Sequence, residues 1–107
     1  MTEQNLAKKS LSDPVRMSTA LHAAAYMRWV ETRKGVSPSQ SEMQRYIRGW
    51  LDADGYAYEP DDLKMIDILA LSLNIDMVHT FITESGIFEQ LDRASAAMSG
   101  PGAGTTA

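Results

Sequence analysis

With 107 residues the chain has room for one domain, and the lack of any cysteine excludes disulfides and thiolate zinc sites. The net charge of −4 disfavours a nucleic-acid partner on average, yet the charge is unevenly spread. Residues 1–50 hold eight Lys/Arg against four acids, a net of +4, whereas residues 51–107 hold two against ten, a net of −8. Such an asymmetry suits a basic nucleic-acid face with an acidic remainder, two complementary surfaces that attract a neighbouring subunit, or simply ordinary solvated faces.

Residues 1–11 carry Lys8 and Lys9 but no apolar stretch of signal-peptide length, and no run of ~18 apolar residues occurs, so the expectation is a soluble, cytoplasmic chain. Residues 1–12 are expected to be flexible, 13–98 to form one helical domain, and 99–107 to be a disordered tail. Ser12-Asp13-Pro14 is a helix start, with a capping hydroxyl and a proline in the first turn, and Gly35 is the matching stop. Within the predicted helix over 14–34, Ala20, Ala24, Met27 and Val30 recur at core spacing. His22, Tyr26, Trp29 and Arg33 form a second stripe on the other side. Tyr26 and Trp29 either cover the edge of the core or anchor a partner.

Ser37-Pro38-Ser39 restarts the helix, and Met43, Tyr46, Ile47, Trp50 and Leu51 follow at i, i+3, i+4, i+7 and i+8. Gln44, Arg45 and Arg48 fall on its polar side. Gly55 is placed to end this helix in a left-handed conformation. A calcium loop at Asp52-Ala53-Asp54-Gly55 is rejected, because that register puts Trp50 where the first acidic ligand belongs and Asp61 where a bidentate Glu belongs.

Pro60-Asp61-Asp62 opens a third helix with two apolar seams. Leu63, Ile66, Ala70, Leu73 and Met77 form one; Met65, Ile68, Ser72, Ile75, His79 and Ile82 form the other, with Leu69, Leu71 and Val78 between them. A helix apolar almost all round is either central or half of a subunit contact, which points to a homodimer. Asn74-Ile75-Asp76 is a candidate break, with Asp76 as cap of a separate helix to Ser85. Gly86 ends that helix, and residues 88–98 form a last one with Leu91 inward. The expected architecture is an all-α bundle of four to five helices, dimeric through the surplus apolar face.

No catalytic constellation is present: there is no phosphate loop, nucleophile elbow or cysteine nucleophile. His22 and His79 stand in no metal-ligand spacing, so no metal or cofactor is expected. A non-enzyme is therefore expected.

Ser37-Pro38-Ser39-Gln40 with Tyr46-Ile47-Arg48, then Asp54-Gly55-Tyr56, then the run from Leu69 to Asp76, resemble the helix-turn-helix domain of LexA-type repressors over residues 37–86. The turn glycine is replaced by Asn74, and the would-be recognition helix carries Asp76 and Glu84 with no Lys or Arg. Val15-Arg16-Met17-Ser18, with Gly35 and Ser41-Glu42-Met43, is similar to ribbon-helix-helix repressors over residues 15–52. Either resemblance implies transcriptional control. Two readings follow. The first is an adaptor or inhibitor of a transcription factor that docks through Tyr26, Trp29, Met65, Ile68, Ile75, His79 and Ile82. The alternative is a DNA-binding repressor or accessory factor that uses Arg16, Arg28, Arg33, Lys34, Arg45 and Arg48.

Overall fold

A computed structural model describes residues 8–105, with side chains as far as residue 97. Five helices make up the described chain: α1 (Asp13–Lys34), α2 (Gln40–Ala53), α3 (Pro60–Ser72), α4 (Ile75–Ser85) and α5 (Ile87–Thr105). The all-α architecture agrees with the expectation. No single helix among the described residues is long and apolar enough to cross a membrane.

The first helix starts and stops where its sequence signals lie. Ser12 Oγ accepts a hydrogen bond from the Val15 N–H, and Gly35 closes the helix at φ 74° by donating its N–H to the Glu31 carbonyl at 3.0 Å. Val15-Arg16-Met17-Ser18, which the ribbon-helix-helix resemblance would make a short strand, lies within α1.

This helix is the hub, packing against each of the other four. Its buried residues are Thr19, Ala20, Ala23, Ala24, Ala25, Trp29 and Val30, a set that wraps around the helix instead of marking one stripe. The alanines put only a methyl group between backbones, so neighbouring helices come close without opening voids. The Thr19 hydroxyl donates to the Val15 carbonyl at 2.8 Å, which satisfies the one buried polar side chain of α1.

Against α1 lie Met43, Ile47 and Leu51 of α2, Leu63, Ile66 and Ala70 of α3, and Val78 of α4. A capping box fixes the start of α2: Ser39 Oγ accepts from the Glu42 N–H at 3.1 Å, and the Ser39 N–H donates to Glu42 Oε1 at 2.8 Å. The other side of α1 is covered as well. His22 stacks on Trp50 at 4.0 Å and meets the edge of Phe81 at 4.9 Å, and Tyr26 stacks on Tyr46 at 4.2 Å.

The cap of α4 needs correction, and contacts or helix extend past the expected domain bounds at both ends. Order begins ahead of residue 12: Lys9 exchanges backbone hydrogen bonds with Gly55 and Ala57, both 2.9 Å, its ammonium lies over the Tyr56 ring, and Leu11 packs on the core. Residues 1–7 of the segment expected to be flexible lie outside the described residues. The break in the third helical segment falls at Leu73-Asn74, and its cap is Asn74 in place of Asp76. The Asn74 carboxamide oxygen accepts from the N–H groups of Asp76 (2.8 Å) and Met77 (3.2 Å), a reach that a side chain inside the helix lacks. Last, α5 is helical to Thr105, past the Ser99 boundary, with Ala94, Ala96 and Ala97 supplying helix propensity ahead of the glycines. The final two residues of the expected tail lie outside the described residues.

If the alanine face of α1 sets the helix spacing, Ala23→Leu forces side chains off their rotamers and costs about 1–3 kcal/mol. The exposed Ala53→Leu changes stability by no more than ~0.5 kcal/mol. Urea unfolding followed by circular dichroism separates the two, and equal effects would contradict the close packing.

Candidate partner-binding surface

Because α1 occupies the centre, α3 touches the core along one side only. Leu63, Ile66 and Ala70 face inward, and the opposite side turns out Met65, Ile68 and Leu71, each 62% exposed. Their spacing of three and three puts them in one row along the helix. Across the turn, α4 adds Ile75 at 40% and Met77 at 45% exposure. Val36 and Met17 are exposed apolar residues on other segments of the chain. Large apolar side chains gathered on one helix are unusual for a solvated surface, whereas scattered ones are not.

The seven residues expected to bind a partner divide accordingly. Met65, Ile68, Ile75 and His79 lie at the surface, Tyr26 and Ile82 are half-buried against the core, and Trp29 is buried. Trp29 is thus a correction: it packs under α5, and its indole N–H donates to Asp92 Oδ1 at 2.8 Å. Arg33 grips the same carboxylate with two hydrogen bonds, Nε to Oδ1 at 2.8 Å and Nη2 to Oδ2 at 2.7 Å. The His22/Tyr26/Trp29/Arg33 stripe therefore receives α2, α4 and α5 of its own chain. Burial first, and then the neighbouring Tyr26, push the Tyr46 hydroxyl up to about 12.

Leu71 and Asp67 were not legible as site residues. Leu71 continues the row of Met65 and Ile68, but on a helix apolar almost all round its i+3 spacing does not single it out. Asp67 interrupts the apolar run Met65-Ile66-Asp67-Ile68-Leu69, and an acid in such a run is a signal in itself. It is 5% exposed, and one of its oxygens has no hydrogen-bond partner among the described residues. Burial holds its carboxyl above the usual carboxylate range. Beside it a groove of about 500 Å³ opens between α1, α3 and the start of α2, with Met27, Met43 and Leu71 among its walls.

The basic residues of the DNA alternative do not form one set. Arg16 pairs with Asp13 at 3.3 Å and Asp62 at 3.6 Å, Arg28 with Glu31 at 3.6 Å, and Arg33 with Asp92. Lys34, Arg45 and Arg48 are exposed and make no ion pair with another described residue. No protein-family model, curated protein or solved structure matches the chain. The functional reading therefore rests on these side chains.

The clamp on α5 is pH-dependent with a definite sign. Hydrogen bonds from Arg33 and then Trp29 lower Asp92 to about 2, so its contribution is fully present above the ordinary carboxylate value of 3.8 and is lost as pH falls towards about 2. Protection of α5 amides and the Trp29 indole resonance should hold from neutral pH to about 4 and decline below it. Asp92→Asn should loosen α5 already at neutral pH; α5 exchange unchanged in that variant would show that the clamp does not hold the helix.

Proposed function

We propose that this chain is a non-catalytic regulatory protein that acts by protein–protein contact, docking through the outward face of α3 and the start of α4. The observation that carries this reading is the row Met65, Ile68 and Leu71, each 62% exposed on a chain with few large apolar residues to leave in water. A helix face of this kind fills an apolar groove or pairs with another helix, and its methionine adapts to the shape it meets. In the unbound state the row is covered by a second copy, so the homodimer expected from the sequence uses the same side chains. Exposed acids on the same two helices, Asp61 and Asp76 among them, keep that self-contact weak.

Transcriptional control is the setting this proposal favours, with a transcription factor as the partner in the cytoplasm. The α3 and α4 axes meet at 99° across a two-residue break, within the ~90–120° of helix-turn-helix pairs. The second helix of the pair displays Asp76, His79, Thr80, Thr83 and Glu84 to solvent and has no cation to meet phosphate. A corner with that shape and that charge suits a protein surface better than a DNA groove.

The double variant Met65→Ser with Ile68→Ser tests this reading. Light scattering on the wild type should give twice the 11.8 kDa chain mass at high concentration and the single mass for the variant, with a melting temperature within a few degrees. Proteins retained by the immobilised wild type should be lost from the variant. Identical mass and identical retention would overturn the assignment of this face.

A second reading is favoured by one observation, the exposed Arg45 and Arg48 on α2 together with Lys34, which make no ion pair with another described residue. Three phosphate contacts predict a slope of roughly −2.7 in log affinity against log salt. Fluorescence anisotropy with random duplex DNA measures it, and Arg45→Ala should lower the slope by about 0.9. Binding indifferent to salt would remove DNA from consideration.

A further inference from the structure

The groove beside Asp67 has a chemistry that neither the fold nor the row on α3 uses. Part of its wall is aliphatic, formed by Met27, Met43 and Leu71, with Ser37 and Gln40 as neutral polar neighbours, and the groove encloses about 500 Å³ open to solvent. The carboxylate of Asp67 lines it, 5% exposed, with one oxygen lacking any hydrogen-bond partner among the described residues. The other two charges on the groove, Arg28 and Glu31, face each other at 3.6 Å and offset one another. One acid without a cation partner among the described residues therefore remains at the base of the groove.

A buried carboxylate without a partner is costly, and a donor with positive charge is what relieves it. A lone carboxylate is too few ligands for a calcium or magnesium ion. An anion is repelled. The group that fits both wall and base is a cation on an aliphatic stem, since the stem lies against methionine and leucine while the head reaches the acid.

We propose that this groove takes an arginine or lysine side chain from a helical segment of the docked partner. The placement follows from Leu71, which ends the exposed row and also lines the groove. A partner helix lying along α3 would set its apolar residues on Met65, Ile68 and Leu71 and its basic residue beside Asp67. A two-fold contact through this row would set α3 and α4 of the second copy against the groove, and these helices carry Asp61, Asp62, Asp67, Asp76 and Glu84 against Lys64 alone, so charge complementarity selects a basic foreign segment. The identity of the partner class rests on the docking role proposed above, but the groove can be tested apart from it.

The probe is n-butylguanidinium chloride, titrated into methyl-labelled protein at constant ionic strength, with n-butanol as the uncharged control. The methyl resonances of Met27, Met43 and Leu71 should shift saturably with a Kd of about 1–10 mM, a range ordinary for so small a ligand. Asp67→Asn, close in shape, should weaken the affinity at least about tenfold, and butanol should produce no saturable shift. The Met65→Ser with Ile68→Ser variant should bind the probe as the wild type does, so loss of docking in that variant leaves the groove result standing. Equal affinity in wild type and Asp67→Asn, shifts spread over the acidic surface, or no saturable shift in the wild type would each overturn the proposal. Should Asp67→Asn fail to fold, the wild-type titration against n-butanol alone decides it, because equal response to both compounds removes any role for charge.

Discussion

Everything in this fold depends on the packing of four helices around the alanine-rich α1. Ala20, Ala23, Ala24 and Ala25 are at most 2% exposed, and none carries more than a methyl group. A helix of 22 residues is about 33 Å long, enough to offer different stretches of its surface to different neighbours. Larger residues at these positions would push α2 and α3 outward, and the core formed by Ile47, Leu51 and Ile66 would lose its density. Placing α1 at the centre has a direct cost for α3. An apolar helix that is not central has one side left over, and that side is the row Met65, Ile68 and Leu71.

The attachment of α5 follows a different physical rule. Ile87 is its one buried residue among those described, and Phe88 and Leu91 are half-buried. Its hold on α1 depends on a charge-assisted clamp in which Trp29 and Arg33 share the Asp92 carboxylate. The Arg33 guanidinium also lies over the Phe88 ring at 5.4 Å. A clamp of this kind is specific in geometry yet accessible to water, so α5 belongs to the part of the molecule that opens at lower free energy than the α1–α3 core.

The local signals were legible because they act within a few residues. Ser12 and Ser39 cap the helices they precede, and Gly35 and Gly86 end theirs with positive φ. The hinge at residues 73–74 was legible as a break, but not its cap, since Asn74 and Asp76 are both competent capping residues and only the backbone decides between them. What the sequence could not reveal was which neighbour covers which stripe. Trp29 resembled a surface anchor because the residue that covers it, Asp92, lies 63 positions further on. Leu71 resembled filler because α3 is apolar almost all round, and periodicity loses its meaning on such a helix. Asp67 was visible as an acid in an apolar run, while the groove beside it requires three separate segments to come together.

The central claim is that α1 is enclosed and that α3, in consequence, shows an apolar row to the outside. Solvent relaxation by a soluble gadolinium chelate, read on methyl groups at protein concentrations low enough to keep the chain monomeric, tests it directly. The account predicts strong broadening of the Met65, Ile68 and Leu71 methyls and little at Ala23, Ala24 and Ile66. Comparable protection of both sets in the monomer, or broadening of the α1 alanines, would contradict it.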